Sequence, residues 1–247
     1  MKAMILAAGR GTRLRPLTDN RPKALVEVAG HTLLEITLRR LREVGIREVI
    51  VNVHHFSDML VDYLKKNDDF GMQVAISREE ELLDTGGGLK KAAWFFSEDG
   101  ADGEPFLLHN VDVLSTIDLG RMVEFHRQHQ ALATLAVQDR ETSRYLLFDE
   151  EHRLCGRQTG RNSPEVVRPS QTRQGLAFSG VHVISPRFVS LMTEQGVFSI
   201  ITSYLRLARQ REKIMAFRAD AYYWRDLGKP ESLAQAEQDV KHDLLQL

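Results

Sequence analysis

At 247 residues, with 43% hydrophobic and 27% charged side chains, the chain can bury a sizeable core without help from disulfides or metals. Its lone cysteine, Cys155, excludes an intrachain disulfide and a multi-cysteine zinc site and fits a reducing cytoplasm, and a formal net charge of −1 leaves none of the whole-chain basic excess that nucleic-acid binders carry. No apolar run approaches the roughly 18 residues needed to span a bilayer, so the expectation is a soluble, cytoplasmic monomer or homodimer with no nucleic-acid and no membrane partner.

One lysine precedes a short apolar run that ends at Ala8, which is too brief for a signal peptide and predicts a buried first strand over residues 3–7. A helix follows over residues 33–44, with Leu33, Leu34, Leu38 and Leu41 on one face and Gly45 placed as a C-terminal cap. Residues 48–53 read as a strand, 58–64 as a helix, 73–77 as a strand, 89–96 as a helix and 106–108 as a strand. After a helix over 117–128 the pattern turns β-rich, at 133–137, 145–148 and 177–184, so the sheet becomes mixed there. The polar stretch 156–175, with Pro164, Pro169 and several arginines, reads as a surface loop or irregular hairpin and as a lid. A helix over 198–209, a strand over 214–218 and a last helix from Pro230 to about residue 244 complete the chain. The alternation predicts an α/β fold of three layers, α/β/α, around a mixed, mostly parallel sheet. No repeat or linker interrupts it, so residues 1–247 read as a single domain.

The first strand runs into Ala8-Gly9-Arg10-Gly11-Thr12-Arg13-Leu14-Arg15-Pro16, followed by Arg21-Pro22-Lys23. Gly9 and Gly11 let backbone N–H groups come close to a phosphate, while Arg13, Arg15 and Lys23 supply charge-assisted donors to several phosphate oxygens. A dinucleotide fingerprint needs glycine where Leu14 stands, and a Walker loop needs a Gly-Lys-Ser/Thr triplet that the segment lacks. A second apolar strand ends in Asn110-Val111-Asp112, and ligands in open α/β sheets sit beyond the carboxyl ends of strands. Asp112 therefore reads either as a Mg²⁺ ligand or as a turn cap; Asp226, ahead of Pro230, reads alone as a helix-start residue. Three consecutive glycines, Gly86 to Gly88, work against helix formation and mark a place where backbone lies against something flat, such as a base or ribose.

The string LAAGRGTRLRPLT…RPK resembles the signature loop of the sugar-1-phosphate nucleotidylyltransferases, and Asn110-x-Asp112, the run around Gly86 to Gly88, Phe178-Ser179-Gly180-Val181 and Trp224-x-Asp226-x-Gly228-x-Pro230 resemble that family's later motifs. The resemblance implies a Rossmann-like nucleotidyltransferase fold and a reaction between a nucleoside triphosphate and a sugar 1-phosphate that releases pyrophosphate. It implies that Ala8, Gly9, Gly11 and Thr12 line the nucleotide, that Arg13 holds the outer phosphates and that Lys23 contacts the α-phosphate. Thr85, Gly86 and Gly87 would pack near the base, with segment 77–81 reading its edge. Asn110 and Gly180 would meet the sugar phosphate, and Asp112 and Asp226 would hold Mg²⁺. The Glu-Lys-Pro segment with which many members hold the sugar phosphate has no clear counterpart; Glu165 and Arg168-Pro169 are the nearest. A C-terminal β-helical domain, present in longer members, is not expected in so short a chain.

His54, His55 and His109 read as structural or peripheral, and Leu114 breaks the Asp-x-Asp motif of a glycosyltransferase. Guanine presents two adjacent donors that one carboxylate can accept, so the acidic Glu79-Glu80-Glu81 favours GTP, with Glu79 as reader and mannose 1-phosphate as acceptor. The alternatives are UTP with N-acetylmuramate 1-phosphate, the base being read by backbone groups and the glutamates forming a solvated turn, and a non-catalytic regulatory subunit of the same fold.

Overall fold

The computed structural model describes residues 1–96, 103–242 and 244. In chain order the strands are β1 (Lys2–Leu6), β2 (Glu27–Val28), β3 (His31–Thr32), β4 (Glu48–Val53), β5 (Gln73–Arg78), β6 (Phe106–Asn110), β7 (Val113–Ser115), β8 (Ala133–Gln138), β9 (Arg144–Phe148), β10 (Leu154–Thr159), β11 (Glu165–Val166), β12 (Gln174–Ile184), β13 (Ile214–Arg218) and β14 (Trp224–Asp226). The helices are α1 (Leu33–Glu43), α2 (Ser57–Lys66), α3 (Asp84–Lys91), α4 (Leu119–Gln128), α5 (Pro186–Ser190), α6 (Ile200–Arg209) and α7 (Pro230–Lys241).

Strand alternation builds the three layers. Ala3 and Ile5 of β1, Val49 and Val51 of β4 and Leu107 of β6 pack on one face with the apolar sides of α1, α2, α4 and α7. Their neighbours Met4, Ile50, Phe106 and Leu108 point the other way and pack with α3, α5 and α6. Buried on both faces, these strands carry continuous apolar runs, as parallel strands between helical layers must. Two of the sheet-covering helices begin where a side chain satisfies a first free N–H group: the Thr32 hydroxyl accepts from the Glu35 N–H ahead of α1, and the Asp118 carboxylate accepts from the Arg121 N–H ahead of α4.

The main sheet runs β11-β10-β9-β12-β6-β1-β4-β5, with β8 and then β13 attached beside β12. Strands β6, β1, β4 and β5 pair in parallel, and β12 pairs antiparallel with β6, β8 and β9. β8 follows one edge of β12 for most of its length. The other edge is shared: β9 pairs with Gln174–Ala177 and β6 with Val181–Ile184. Between those two ladders the β8 register shifts, between Phe178 and His182, and Gly180 sits at φ +75°. The sheet therefore opens at Phe178, Ser179 and Gly180.

Two sequence expectations change and one resolves. The helix expected over 89–96 begins earlier: the glycine run forms the first turns of α3, and residues 93–96 form a separate 3-10 turn. Of the two readings of 156–175, the hairpin is the one formed: the stretch continues β10 and adds β11 at the sheet edge. The last helix ends at Lys241; residue 243, within the expected run to 244, lies outside the described residues. No helix among the described residues is long and apolar enough to cross a membrane.

Candidate active site

Two clefts meet beyond the carboxyl ends of β1 and β6. The smaller, of about 370 Å³, is lined by Leu6, Ala8, Gly9, Asn52, Leu82 and Asp112, among others. The larger, of about 800 Å³, is lined by Arg13, Arg140, Arg144, Arg157, Gly180, Trp224, Asp226 and their neighbours. Asp84, Thr85 and Asn110 line both, so one molecule in each cleft would share a wall.

The glycine and arginine loop leaves β1 with Ala8 buried and Gly9 exposed at the smaller cleft. Gly11 precedes a 3-10 turn over Thr12–Leu14, in which Leu14 is buried and Thr12 and Arg13 are exposed; the Thr18 hydroxyl donates to the Gly11 carbonyl at 2.9 Å and fixes the loop. The buried Leu14 explains why the loop has no sixth-position glycine: the side chain anchors it to the core. Lys23, only 7% exposed, pairs its ammonium with the Asp112 carboxylate. A buried cation and a cleft carboxylate thus neutralise one another at the floor of the site.

Asp112 and Asp226 lie far apart in sequence and meet through a short ladder. β14 pairs antiparallel with β7, setting Asp226 opposite Val113, and the Leu227 N–H donates to the Asp112 carbonyl at 2.8 Å. Asp226 is not a helix-start residue: it ends a strand, its Oδ1 accepts from the Gly228 N–H at 2.7 Å, and α7 begins later at Pro230. Gly228 lies so close to the Arg13 guanidinium that the loop cation and the Asp226 carboxylate share one corner. Among the described residues no group of three or more His, Cys, Asp or Glu is gathered, so no all-protein cage is built there. Two hard carboxylates facing phosphate-sized space are the donor set that suits Mg²⁺, which usually completes its shell with water and phosphate oxygens.

Gly180 is a glycine for two reasons. Its φ of +75° is costly for other residues, and a Cβ there would stand 2.7 Å from Val113 Cγ2 and 3.0 Å from Asn110 Nδ2. Its neighbours leave polar atoms at the cleft: Asn110 Oδ1, Ser179 Oγ and Arg140 Nε are buried without a protein partner. Arg140 stacks on Trp224, 3.6 Å from the ring centroid, and donates from Nη2 to the Phe178 carbonyl at 2.8 Å. Burial lowers its pKa from the ordinary value, and the nearby Asp226 carboxylate opposes that shift. His182, also on the cleft wall, is held neutral: burial, with the neighbouring His109 adding to it, brings it down to about 3, and its ring bonds the Tyr204 hydroxyl at 2.7 Å.

Two expectations meet a different arrangement. Glu79 is 4% exposed, and both carboxylate oxygens are engaged, one accepting from Asn52 Nδ2 at 2.7 Å and the other from the Leu83 N–H at 3.0 Å. Asn52 in turn accepts from the Ala7 N–H at 2.7 Å, so the carboxylate braces the loop after β1 from the wall of the smaller cleft, which Glu79 also lines. The flat surface under Gly86 is the Phe198 ring, and a Cβ on Gly87 would stand 2.6 Å from the Gly196 carbonyl, so these glycines admit the segment before α6. Thr85 lines both clefts, but its hydroxyl accepts from the Ile200 N–H at 3.0 Å. Sequence reasoning missed Asn52, Asp84, Arg140, Arg144 and Arg157. Arg144 with Leu146, and Arg157 with Thr159, show the period-two signal that a strand reading of 154–159 would have exposed.

Glycine-rich loop, paired aspartates and a wall shared between two clefts thus come together beyond the carboxyl ends of β1 and β6. The sequence profile described as nucleotidyl transferase matches residues 2–243, and the chain belongs to that family. It is 29% identical to a mannose-1-phosphate guanyltransferase of Yarrowia lipolytica over 94% of its own length, although it spans only 61% of that protein. It is 32% identical to an N-acetylmuramate alpha-1-phosphate uridylyltransferase of Caulobacter vibrioides over 95% of both chains. A solved structure described as a putative glucose-1-phosphate thymidylyltransferase from Bacillus anthracis shares the fold at a TM-score of 0.80 and 17% identity, covering 96% of this chain and 94% of that one.

Proposed function

We propose that the chain transfers a uridylyl group from UTP to a sugar 1-phosphate, with N-acetylmuramate 1-phosphate as acceptor and Mg²⁺ as cofactor. The observation that carries nucleotidyl transfer is the junction of the two clefts, walled by Asp84, Thr85 and Asn110, with Asp112 opening on one side and Asp226 on the other. The nucleotide would lie in the smaller cleft along Ala8, Gly9, Gly11 and Thr12, and the sugar in the larger one against Asn110 and Gly180.

In the proposed reaction an oxygen of the acceptor phosphate attacks the α-phosphorus in line; the bond to the bridging oxygen breaks and pyrophosphate leaves with the electron pair. The attacking phosphate is ionised at neutral pH, so the chain needs no general base. Its contribution is positioning and charge: Lys23 at the α-phosphate and Arg13 at the outer phosphates. Mg²⁺ held by Asp112 and Asp226 would supply further neutralisation of the phosphate oxygens.

Two points support UTP over GTP. Glu79, the carboxylate on which a guanine preference rested, lines the smaller cleft but already accepts one structural hydrogen bond at each oxygen. The uridylyltransferase relative is also matched along nearly its full length. The guanylyl reading is favoured by the mannose-1-phosphate relatives and is the competing outcome. Pyrophosphate release with Mg²⁺, each nucleoside triphosphate and a panel of sugar 1-phosphates tests both. A kcat/KM for UTP at least ~10-fold above that for GTP is expected, a difference of about 1.4 kcal/mol in transition-state binding. Preference for GTP with mannose 1-phosphate would replace the proposal, and no pyrophosphate from any pair would leave a regulatory subunit.

A further inference from the structure

The larger cleft carries more positive charge than one acceptor phosphate needs. Arg13, Arg140, Arg144, Arg157 and Lys229 line it, against the carboxylates of Asp84 and Asp226. Arg13 and Arg140 belong to the reaction corner: one abuts Gly228 and the other is coupled to Asp226. Arg144 and Arg157 stand elsewhere, on the hairpin of β9 and β10. Its register sets Arg157 opposite Leu146 and Thr159 opposite Arg144. With a side-chain period of two, all four residues share one face, and all four line the cleft. Two guanidinium groups are thus diagonal neighbours on one sheet face, an arrangement that costs stability unless an anion lies between them.

The protein neutralises only part of that charge. Arg157 donates through Nε to Glu165 at 2.7 Å, with both side chains nearly half exposed. Among the described residues no carboxylate pairs with Arg144. β9 is one strand and β10 two strands from β12, so these groups lie on the order of 5–10 Å from the Gly180 strand at ordinary strand spacing. That separation is about the width of a pyranose ring beyond its anomeric phosphate.

We propose that Arg144 and Arg157 read a second anion on the acceptor, a carboxylate borne by a substituent of the sugar ring. The inference rests on the sugar 1-phosphate reading above and adds specificity-determining residues to it. The planar guanidinium fork matches a carboxylate in two parallel hydrogen bonds, whereas a hydroxyl at the same place leaves the Arg144 charge uncompensated. Selection for an acidic sugar over its neutral counterpart follows.

The test compares N-acetylmuramate 1-phosphate with N-acetylglucosamine 1-phosphate, which lacks only the lactyl ether and its carboxylate. With UTP and Mg²⁺, the wild type should favour the acidic acceptor at least ~10-fold in kcat/KM. In Arg144→Gln and Arg157→Gln that ratio should fall at least ~10-fold, chiefly through KM for the acidic acceptor, and Arg144→Lys should recover part of it. Arg144 is exposed, so its variants keep the test valid should Arg157→Gln fail to fold. An equal loss with both acceptors, a wild type indifferent to the carboxylate, or a rise in KM for UTP at an unchanged ratio would each overturn the inference. Turnover of the neutral acceptor distinguishes that failure from failure of the transferase reading, which would show no pyrophosphate with either sugar.

Discussion

Lys23 has two roles that a single substitution separates. It neutralises Asp112 in the resting site, and in the proposed reaction it meets the α-phosphate. Lys23→Ala is expected to lower turnover at least ~100-fold, since losing one preorganised charge contact costs roughly 3–4 kcal/mol of transition-state stabilisation. Because the side chain is buried, the variant should also unfold more easily, by about 1–3 kcal/mol. Steady-state kinetics beside urea denaturation read both effects, and near-wild-type turnover would remove Lys23 from the mechanism. At Gly180 the order reverses, with stability affected first. Gly180→Ala combines an unfavourable φ with contacts to Val113 and Asn110 and should cost about 1–3 kcal/mol in unfolding free energy. An unchanged thermal midpoint would mean that β12 relaxes around its bend. These residues were legible because their motifs are contiguous. Glu79 stands at the smaller cleft, but its bonding was not legible because a carboxylate's partners lie in space: nothing in Glu79-Glu80-Glu81 indicates that Asn52, on β4, takes up the first of the three.

Among the elements, α3 and α6 show packing overruling propensity. The Gly86 and Gly87 N–H groups both donate to the Phe198 carbonyl, at 3.0 and 3.2 Å, and the Phe198 N–H donates to the Leu83 carbonyl at 3.2 Å. On propensity alone, alanine at Gly86 would stabilise a helix by about 1 kcal/mol. Its Cβ would instead enter the Phe198 ring and stand 2.9 Å from the Ile200 backbone nitrogen, an overpacking that costs about 1–3 kcal/mol. Gly86→Ala is therefore expected to lower stability; a rise in the urea midpoint would show that the segment before α6 moves aside. Long periodic elements such as α1 and β4 were readable from sequence, because many residues repeat the same signal. β7 and β14 were not: strands of three residues carry too little alternation to register. They nevertheless bring Asp112 and Asp226 together, so the aspartates could be named but their meeting could not be derived.

For the molecule as a whole, burial of histidine sets a pH dependence. His126 lies between the Thr134 and Ser185 hydroxyls, each at 3.0 Å, and burial lowers it to about 4; His182 is lowered to about 3. In the unfolded chain both return to about 6.5. From about pH 6.5 down to about 4 the unfolded state therefore binds protons that the folded state does not. The stabilisation is complete above that window and is lost as pH falls, by up to about 1.4 kcal/mol per pH unit for each histidine. Urea midpoints between about pH 7.5 and pH 5 should drop, and the drop should flatten in His126→Asn/His182→Asn. An equally steep drop in the double variant would place the proton uptake on other groups.

The ladder between β7 and β14 also bears on how the chain is made. A ribosome releases β1, the glycine and arginine loop, Asp112 and every strand of the main sheet before Asp226 emerges. During synthesis the growing polypeptide can therefore fold its sheet and offer a phosphate-binding loop while lacking the second carboxylate. If Asp226 acts as proposed, a released chain truncated after β13 should retain nucleotide and form no product. Catalytic competence would appear only when the closing strand docks, so an incomplete translation product would sequester substrate without consuming it.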